Sequence, residues 1–126
     1  MNIYDRSFRR LIVWREAKKL TINIYQMTKR FPKEEKYSMT NQMRRAANSI
    51  MANIAEGNER KSKNDCCRFL EVARGSLVEV DCFIDLAYEL TYLSDTDFKT
   101  LSDQIAKTGY LLHQFSEAQE RNPMRK

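Results

Sequence analysis

Apolar residues recur along most of this chain in steps of three and four, the spacing that places them on one side of an α-helix. In the first segment, Phe8 to Phe31, the recurring positions are Val13, Ala17, Leu20, Ile24, Met27 and Phe31. Pro32 lacks an amide proton and restrains the residue before it, so this helix is predicted to end at Phe31. The charged residues that follow, 33–37, are interpreted as a connector.

A second segment shows the same spacing at Met39, Met43, Ala46, Ala47, Ile50 and Ile54. Ser38 or Thr40 is suited to cap its first turn, because a hydroxyl oxygen accepts a hydrogen bond from a backbone amide there. Gly57 is predicted to end the helix in the left-handed conformation, which glycine adopts without strain. The polar run 58–63 has no apolar period and is interpreted as an exposed loop.

The third segment is apolar over two adjoining faces, and Asn64 or Asp65 is suited to start it. One stripe is Cys66, Leu70, Ala73, Leu77, Val80, Ile84, Ala87 and Thr91; the other is Phe69, Val72, Ser76, Phe83, Leu86 and Leu90. A helix with two apolar faces is expected to have neighbours on two sides. Gly75 lowers helix propensity and lies beside Ala73 and Ser76, so we expect another backbone to approach closely there.

The fourth segment begins near 94–97, where an acid-rich first turn suits the positive end of the helix dipole. Its apolar positions are Phe98, Leu101, Ile105, Thr108, Leu112 and Phe115. Four such helices with short connectors predict an all-α fold, an antiparallel up-down-up-down four-helix bundle. We expect one domain over residues 1–126, with frayed ends at about 1–7 and 121–126.

Amino-acid composition agrees with long helices, and the absence of long apolar runs bears on where in the cell the protein is found. The 126 residues include only 3 Gly and 2 Pro, too few for the frequent turns of a barrel or sandwich. The first six residues lack the apolar core of a secretion signal, and no apolar run is long enough to span a bilayer. The sequence therefore predicts a cytoplasmic protein with no membrane partner.

No pattern of reactive residues predicts an enzyme, a metal site or a cofactor. His113 is the only histidine, and no motif pairs it with a nucleophile or with a glutamate three residues away. Three cysteines, without the spacing of zinc ligands, are interpreted as reduced and structural. Asp81, Asp85 and Glu89 form an acidic column that we interpret as an exposed or interfacial stripe.

Basic and acidic residues are distributed unevenly along the chain, whose net charge is +5. Residues 1–63 hold fifteen Lys or Arg against six Asp or Glu, whereas residues 64–93 hold two against six. Two interpretations remain open beside plain solvation of charged helix faces. The basic residues contact phosphates, or the basic helices face acidic helices of another subunit.

The second segment also carries a family resemblance. The run Gln42 to Ile50, followed by Asn53, Ile54, Ala55, Glu56, Gly57 and Arg60, resembles the four-helix-bundle family encoded within intervening sequences of bacterial large-subunit ribosomal RNA genes. Further matches at 13–17, 25–32, 69–77 and 92–93 extend the similarity over nearly the whole chain. The resemblance implies a homopentameric barrel. It also implies kinship with accessory proteins of diversity-generating retroelements, which pair with a reverse transcriptase and bind nucleic acid.

Candidate site residues follow from charge and from the resemblance. Candidates for nucleic-acid contact are Arg9, Arg10, Lys18, Lys19, Arg44, Arg45, Arg60, Lys61 and Lys63. Candidates for a subunit interface or a structural motif are Trp14, Asn53, Glu56, Gly57, Gly75 and Ser76. Arg44 and Arg45 point about 100° apart on a helix, so at most one of them lies fully on the apolar side.

These observations favour a non-enzymatic homo-oligomeric scaffold that associates with RNA or DNA through a basic surface, without reading sequence. The alternative is a protein-binding accessory factor that docks a polymerase or reverse transcriptase, with nucleic acid held mainly by that partner. The two hypotheses differ in whether the purified chain binds nucleic acid by itself.

Overall fold

The structure is a computed structural model that describes residues 7–126, so nearly all of the segment expected to fray at the amino end lies outside it. Four α-helices span Ile12–Thr28 (α1), Met39–Glu59 (α2), Lys63–Glu89 (α3) and Asp95–Glu120 (α4). Short 3-10 helices occupy Ser7–Arg10 and Lys33–Glu35, and no β-strand occurs between residues 7 and 126. The predicted all-α fold is confirmed.

The helices form an antiparallel ring in which each contacts two others. α1 packs on α2 and α4, and α3 packs on α2 and α4. Consecutive helices are therefore neighbours, and the contact of α1 with α4 closes the bundle. This is the up-down-up-down order that short connectors favour.

The predicted stripes form the core of this bundle. Fully buried side chains come from all four helices and include Leu20, Ile24, Met43, Ile50, Ile54, Leu70, Ile84 and Leu101. The second stripe of α3 behaves differently, since Val72, Leu86 and Leu90 remain 43–47% exposed. The prediction that both faces of α3 are covered is therefore met only in part within a single chain.

The first helix is shorter than its sequence pattern predicts. It begins at Ile12 rather than Phe8 and ends at Thr28 rather than Phe31. Phe31 is nevertheless buried and packs on Tyr92, with ring centroids 5.3 Å apart. The apolar spacing marked a buried position correctly, but the chain reaches it through a turn and not through helix.

The end of α2 and the start of α3 also differ from prediction. α2 continues through Gly57 to Glu59, and no glycine of residues 7–126 has a positive φ, so the left-handed stop at Gly57 was wrong. α3 begins at Lys63 and not at Asn64 or Asp65. The Oγ of Ser62 caps it by accepting a hydrogen bond from the amide of Asp65 at 3.2 Å. The exposed loop therefore shrinks to residues 60–62.

Gly57, and not Gly75, lies where two helices approach closely. A Cβ on Gly57 would lie 3.3 Å from the carbonyl oxygen of Cys66 and 3.3 Å from a methyl carbon of Leu70, so α2 and α3 approach closely here. Gly75 is exposed, and apart from its own helical turn no part of the described chain would come within 4 Å of a Cβ there. The close approach expected at Gly75 occurs at Gly57.

Shortly after α3 the chain passes through a residue in the left-handed conformation that is not glycine. Thr91 has φ 63°, and α3 lies on its amino side. The amide of Tyr92 donates to the carbonyl of Ala87 at 2.8 Å, and the amide of Thr91 donates to that of Tyr88 at 2.9 Å. These two bonds are those of a Schellman motif, which most often has glycine at the position of Thr91.

Polar links cross the contact between α1 and α4. Nδ2 of Asn23 donates to Oε1 of Gln104 at 3.0 Å, and Nη2 of Arg30 lies 2.5 Å from Oδ2 of Asp97. Glu16 is 6% exposed, and its Oε2 lies 3.5 Å from Nζ of Lys107. This seam therefore combines the buried core with a line of polar contacts at its edge.

Candidate nucleic-acid interface

Basic residues concentrate at the end of the bundle where α1 and α3 begin and α2 and α4 end. We call this the basic end and define it as residues 7–15, 56–68 and 117–126. It holds ten Lys or Arg against five Asp or Glu. The opposite end, residues 26–39 and 85–99, holds five against six. The basic end therefore carries a net positive charge, and the opposite end does not.

The 3-10 helix Ser7–Arg10 is fastened to the end of α2, which brings its arginines to the basic end. Oγ of Ser7 donates to Oε1 of Glu59 at 3.2 Å and accepts from Nδ2 of Asn58 at 3.0 Å. Nε of Arg15 donates to the carbonyl of Arg9 at 2.7 Å, which joins the segment to α1. Arg9 and Arg10 are exposed from this position.

The residues after α4 fold back onto the α2–α3 connection. The Arg125 guanidinium donates to the carbonyls of Gly57 and Asn58 at 3.4 Å and to that of Arg60. The amide of Lys63 donates to the carbonyl of Lys126 at 2.6 Å. The expected frayed tail is thus engaged, and it adds cationic side chains to the basic end.

A cleft of about 390 Å³ lies between this tail and the connection. Its lining residues are Asn58, Arg60, Lys61, Asn122, Met124, Arg125 and Lys126. Beneath it, burial raises the pKa of the Cys66 thiol, and the nearby Arg125 guanidinium acts in the opposite direction. Apart from Met124, the side chains that line the cleft are amides and cations, and the cations attract anions.

The structure brings together five of the nine predicted nucleic-acid contacts. Arg9, Arg10, Arg60, Lys61 and Lys63 all lie at the basic end. Arg60 is also held within the chain, because Nη2 lies 2.6 Å from Oε2 of Glu56 and the guanidinium carbon lies 4.6 Å from the ring centroid of Phe69. Its position is therefore fixed by neighbours on both α2 and α3.

The other four lie along the sides of α1 and α2. Lys18 and Lys19 are exposed, with Nζ of Lys19 4.0 Å from Oε2 of Glu16. Arg45 is exposed. Arg44 is half-buried and donates to both Thr28 and the backbone of Tyr25, at 2.9 and 3.2 Å. Of the two adjacent arginines, Arg45 points outward and Arg44 packs toward α1.

Apart from Gly75, the residues predicted to form a subunit interface or a structural motif make contacts within this chain. Nδ2 of Asn53 donates to the carbonyl of Ser49 at 2.8 Å, and Ser76 Oγ lies 2.8 Å from Ser49 Oγ across α2 and α3. Trp14 packs edge-on to Phe8, with ring centroids 4.8 Å apart. Glu56 pairs with Arg60, and Gly57 allows α3 to approach, as described above.

Sequence reasoning missed two contributors to this region. The tail cations Arg121, Arg125 and Lys126 were set aside as frayed, although their density after a helix end was a visible signal. Phe8 was predicted to be the first residue of a longer first helix. It lies instead on the surface beside Trp14, and both rings are half-exposed.

Polar clusters also lie on the surfaces of α3 and α4. Within residues 7–126 no group of three or more His, Cys, Asp or Glu is arranged to hold a metal ion. Nε2 of His113 lies 3.5 Å from Oε1 of Glu117 on the surface of α4. On α3, hydrogen bonding to Arg74 lowers the pKa of Glu71. Over the same residues, no helix combines the length and apolarity needed to cross a bilayer.

Comparisons with known proteins place the chain in a family. A search of curated proteins finds no match. A crystal structure described as a protein of unknown function from the S23 ribosomal protein family of Bacteroides thetaiotaomicron is 19% identical, with a TM-score of 0.75. That similarity covers 84% of this chain and 99% of the other, and it bears on the fold alone. The family model described as 23S rRNA-intervening sequence protein matches residues 9–114, so the chain belongs to that family.

Proposed function

We propose that this protein is a non-enzymatic, self-associating cytoplasmic scaffold that binds RNA or DNA through the basic end. The observation that carries the proposal is the convergence of Arg9, Lys61, Lys63 and the tail cations at one end of the bundle. Phosphate groups release counterions when lysine and arginine neutralise them, so such a surface binds nucleic acid independently of sequence.

Self-association is supported by surfaces of opposite character. The outer side of α3 exposes Val72 and Leu86, on a helix with six acidic and three basic residues. α1 exposes Ile22 between basic side chains, Lys18 and Lys19 among them. Apolar patches edged by opposite charges suit contact between copies, because burial stabilises the contact and charge orients it. A ring of five copies is the arrangement that the family resemblance implies.

The proposal is tested by removing three positive charges from one end or from the other. A variant with Arg9→Gln, Lys61→Gln and Lys63→Gln loses three positive charges at the basic end. A matched control with Lys29→Gln, Lys33→Gln and Lys36→Gln loses three at the opposite end. Binding of a labelled 20-nucleotide RNA and DNA is measured by fluorescence anisotropy between about 50 and 200 mM salt.

We expect the basic-end variant to lose at least tenfold in affinity at low salt, and its salt dependence to become shallower by about one for each lost phosphate contact. The control should bind nearly as the parent does. Equal losses in both variants would show that the basic end is not the interface. No binding by the parent at about 50 mM salt, together with capture of one stoichiometric polymerase or reverse transcriptase, would favour the accessory-factor alternative.

A further inference from the structure

A shallow apolar pocket opens on the surface where the first 3-10 helix meets α2. It measures about 290 Å³, and its lining residues are Phe8, Trp14, Asn48, Met51, Ala52 and Ala55. The Phe8 and Trp14 rings meet at 63°, with centroids 4.8 Å apart, so each fixes the orientation of the other. Asn48, Met51, Ala52 and Ala55 of α2 line the rest of the pocket, and Trp14 is half-buried.

Cationic side chains border this pocket. Nζ of Lys18 lies 5.5 Å from the centroid of the Trp14 ring, one helical turn along α1. Arg9 directly follows Phe8 in the 3-10 helix and is exposed. The pocket thus combines two aromatic rings and apolar side chains of α2 with the Lys18 ammonium beside Trp14, and its aromatic residues belong to the basic end, together with Arg9.

We propose that this pocket receives one unpaired base of a bound single strand, stacked on Trp14, while Arg9 and Lys18 contact the phosphates on either side. The inference rests on the proposed function and adds to it a preference for single-stranded over fully paired nucleic acid. Aromatic side chains stack on any base because every base has a π-face, and flanking cations hold the backbone. A paired base is already stacked in its helix and is not free to enter.

Charge complementarity decides between this ligand and a purely apolar one. An apolar protein segment would gain little from Arg9 and Lys18 at the rim, whereas a nucleotide presents a flat apolar ring and a negative phosphate together. Asn48 is held at the edge by donating from Nδ2 to the hydroxyl of Tyr25 at 2.8 Å. This bond gives the pocket a fixed polar border.

Trp14 is the only tryptophan of the chain, so its fluorescence reports on this pocket alone. The full-length protein is titrated with (dT)12 and with a 12-unit abasic strand of the same phosphate number, and labelled forms of both are followed by anisotropy. We expect both strands to bind at about 50 mM salt. Only (dT)12 should quench Trp14, with roughly tenfold tighter binding from the stacked base.

Two exposed alanines provide a variant and its control. Ala52→Met places a flexible side chain over the pocket floor, and Ala106→Met makes the same change on α4, away from the pocket. The preference for (dT)12 over the abasic strand should disappear in Ala52→Met and persist in Ala106→Met. Circular dichroism checks that both variants retain the helix content of the parent.

The outcomes separate this inference from the proposed function. Binding of both strands with equal affinity and no quenching would refute base stacking in the pocket. It would leave the proposed binding of nucleic acid by the basic end unaffected. Absence of binding by either strand would overturn both. A Trp14 emission shift that depends on protein concentration, with no response to (dT)12, would assign the pocket to contact between copies and refute base stacking.

Discussion

Arg44 of α2 donates from Nε to the buried hydroxyl oxygen of Thr28 on α1, at 2.9 Å. The same guanidinium donates from Nη2 to the carbonyl of Tyr25 at 3.2 Å and lies 4.7 Å from the centroid of that ring. Thr28 in turn donates to the carbonyl of Ile24 at 2.6 Å. Arg44 therefore joins the end of α1 to α2, whereas its neighbour Arg45 is exposed.

Arg44→Ala should lower the free energy of unfolding by about 1–3 kcal/mol, because a charged donor is removed from a buried acceptor. Arg45→Ala changes the same charge one residue away and should stay within about 0.5 kcal/mol of the parent. Urea denaturation followed by circular dichroism measures both. Equal stability of the two variants would refute the structural role of Arg44.

Gly57 and Gly75 should respond oppositely to substitution by alanine. Gly75→Ala meets open space and should stabilise the protein by about 0.5–1 kcal/mol through helix propensity. Gly57→Ala places a methyl group 3.3 Å from atoms of Cys66, Phe69 and Leu70. It should be about 1–3 kcal/mol less stable than Gly75→Ala, because the packed helices must move apart. Thermal melts compare them directly, and a destabilising Gly75→Ala would instead indicate a contact between copies.

Thr91→Gly should raise the stability of the protein by up to about 1 kcal/mol. A β-branched residue at φ 63° is strained, and glycine adopts this conformation readily. Thr100→Gly, inside α4, serves as the control and should lower stability because glycine weakens a helix interior. A loss of melting temperature in Thr91→Gly would show that the threonine side chain, and not its backbone, matters there.

Thr108 is fully buried, and its hydroxyl has no hydrogen-bond partner within residues 7–126. Thr108→Val keeps the shape and removes the unsatisfied polar group, so it should stabilise the protein by about 1–2 kcal/mol. Thr28→Val makes the same change where the hydroxyl accepts from Arg44, and it should destabilise by a similar amount. Chemical denaturation of both variants measures the change in the free energy of unfolding. A change of the same sign in both variants would contradict the prediction.

Periodicity was sufficient to predict four helices and most of the core. Buried residues such as Leu20, Ile50 and Leu77 occur where the steps of three and four place them. Helix ends were less predictable, because capping depends on local hydrogen bonds that several residues can supply. Ser62 caps α3 although Asn64 and Asp65 are equally good cap formers by residue type.

The positions of Gly57 and Gly75 mark a second limit of sequence reasoning. Glycine permits both a left-handed turn and a close approach, and the choice depends on what lies opposite in space. At Gly57 the opposite atoms belong to α3, which follows directly in sequence, yet its register could not be read from the apolar pattern. The same applies to Gly75, where residues 7–126 leave open space beside the helix.

For the candidate interface, the number and sign of the charges could be predicted from the sequence, but their grouping in space could not. Antiparallel packing brings residues 9 and 61 to one end and leaves Arg44 and Arg45 on the side of the bundle. The pocket at Trp14 depends on a 3-10 turn that interrupts the first segment and turns Phe8 onto α2. No periodic pattern signals such a turn.

The polar seam between α1 and α4 has a consequence for how the molecule opens. Its contacts join residues far apart in the chain, such as Asn23 and Gln104, which are separated by 81 positions, so closing it costs the most loop entropy. The other contacting pairs of α-helices, α1 with α2, α2 with α3 and α3 with α4, are hairpins of helices that are consecutive in the sequence. α1 should therefore detach first from its far partner, exposing the inner side of α4 to amide exchange while the α2–α3 hairpin stays protected.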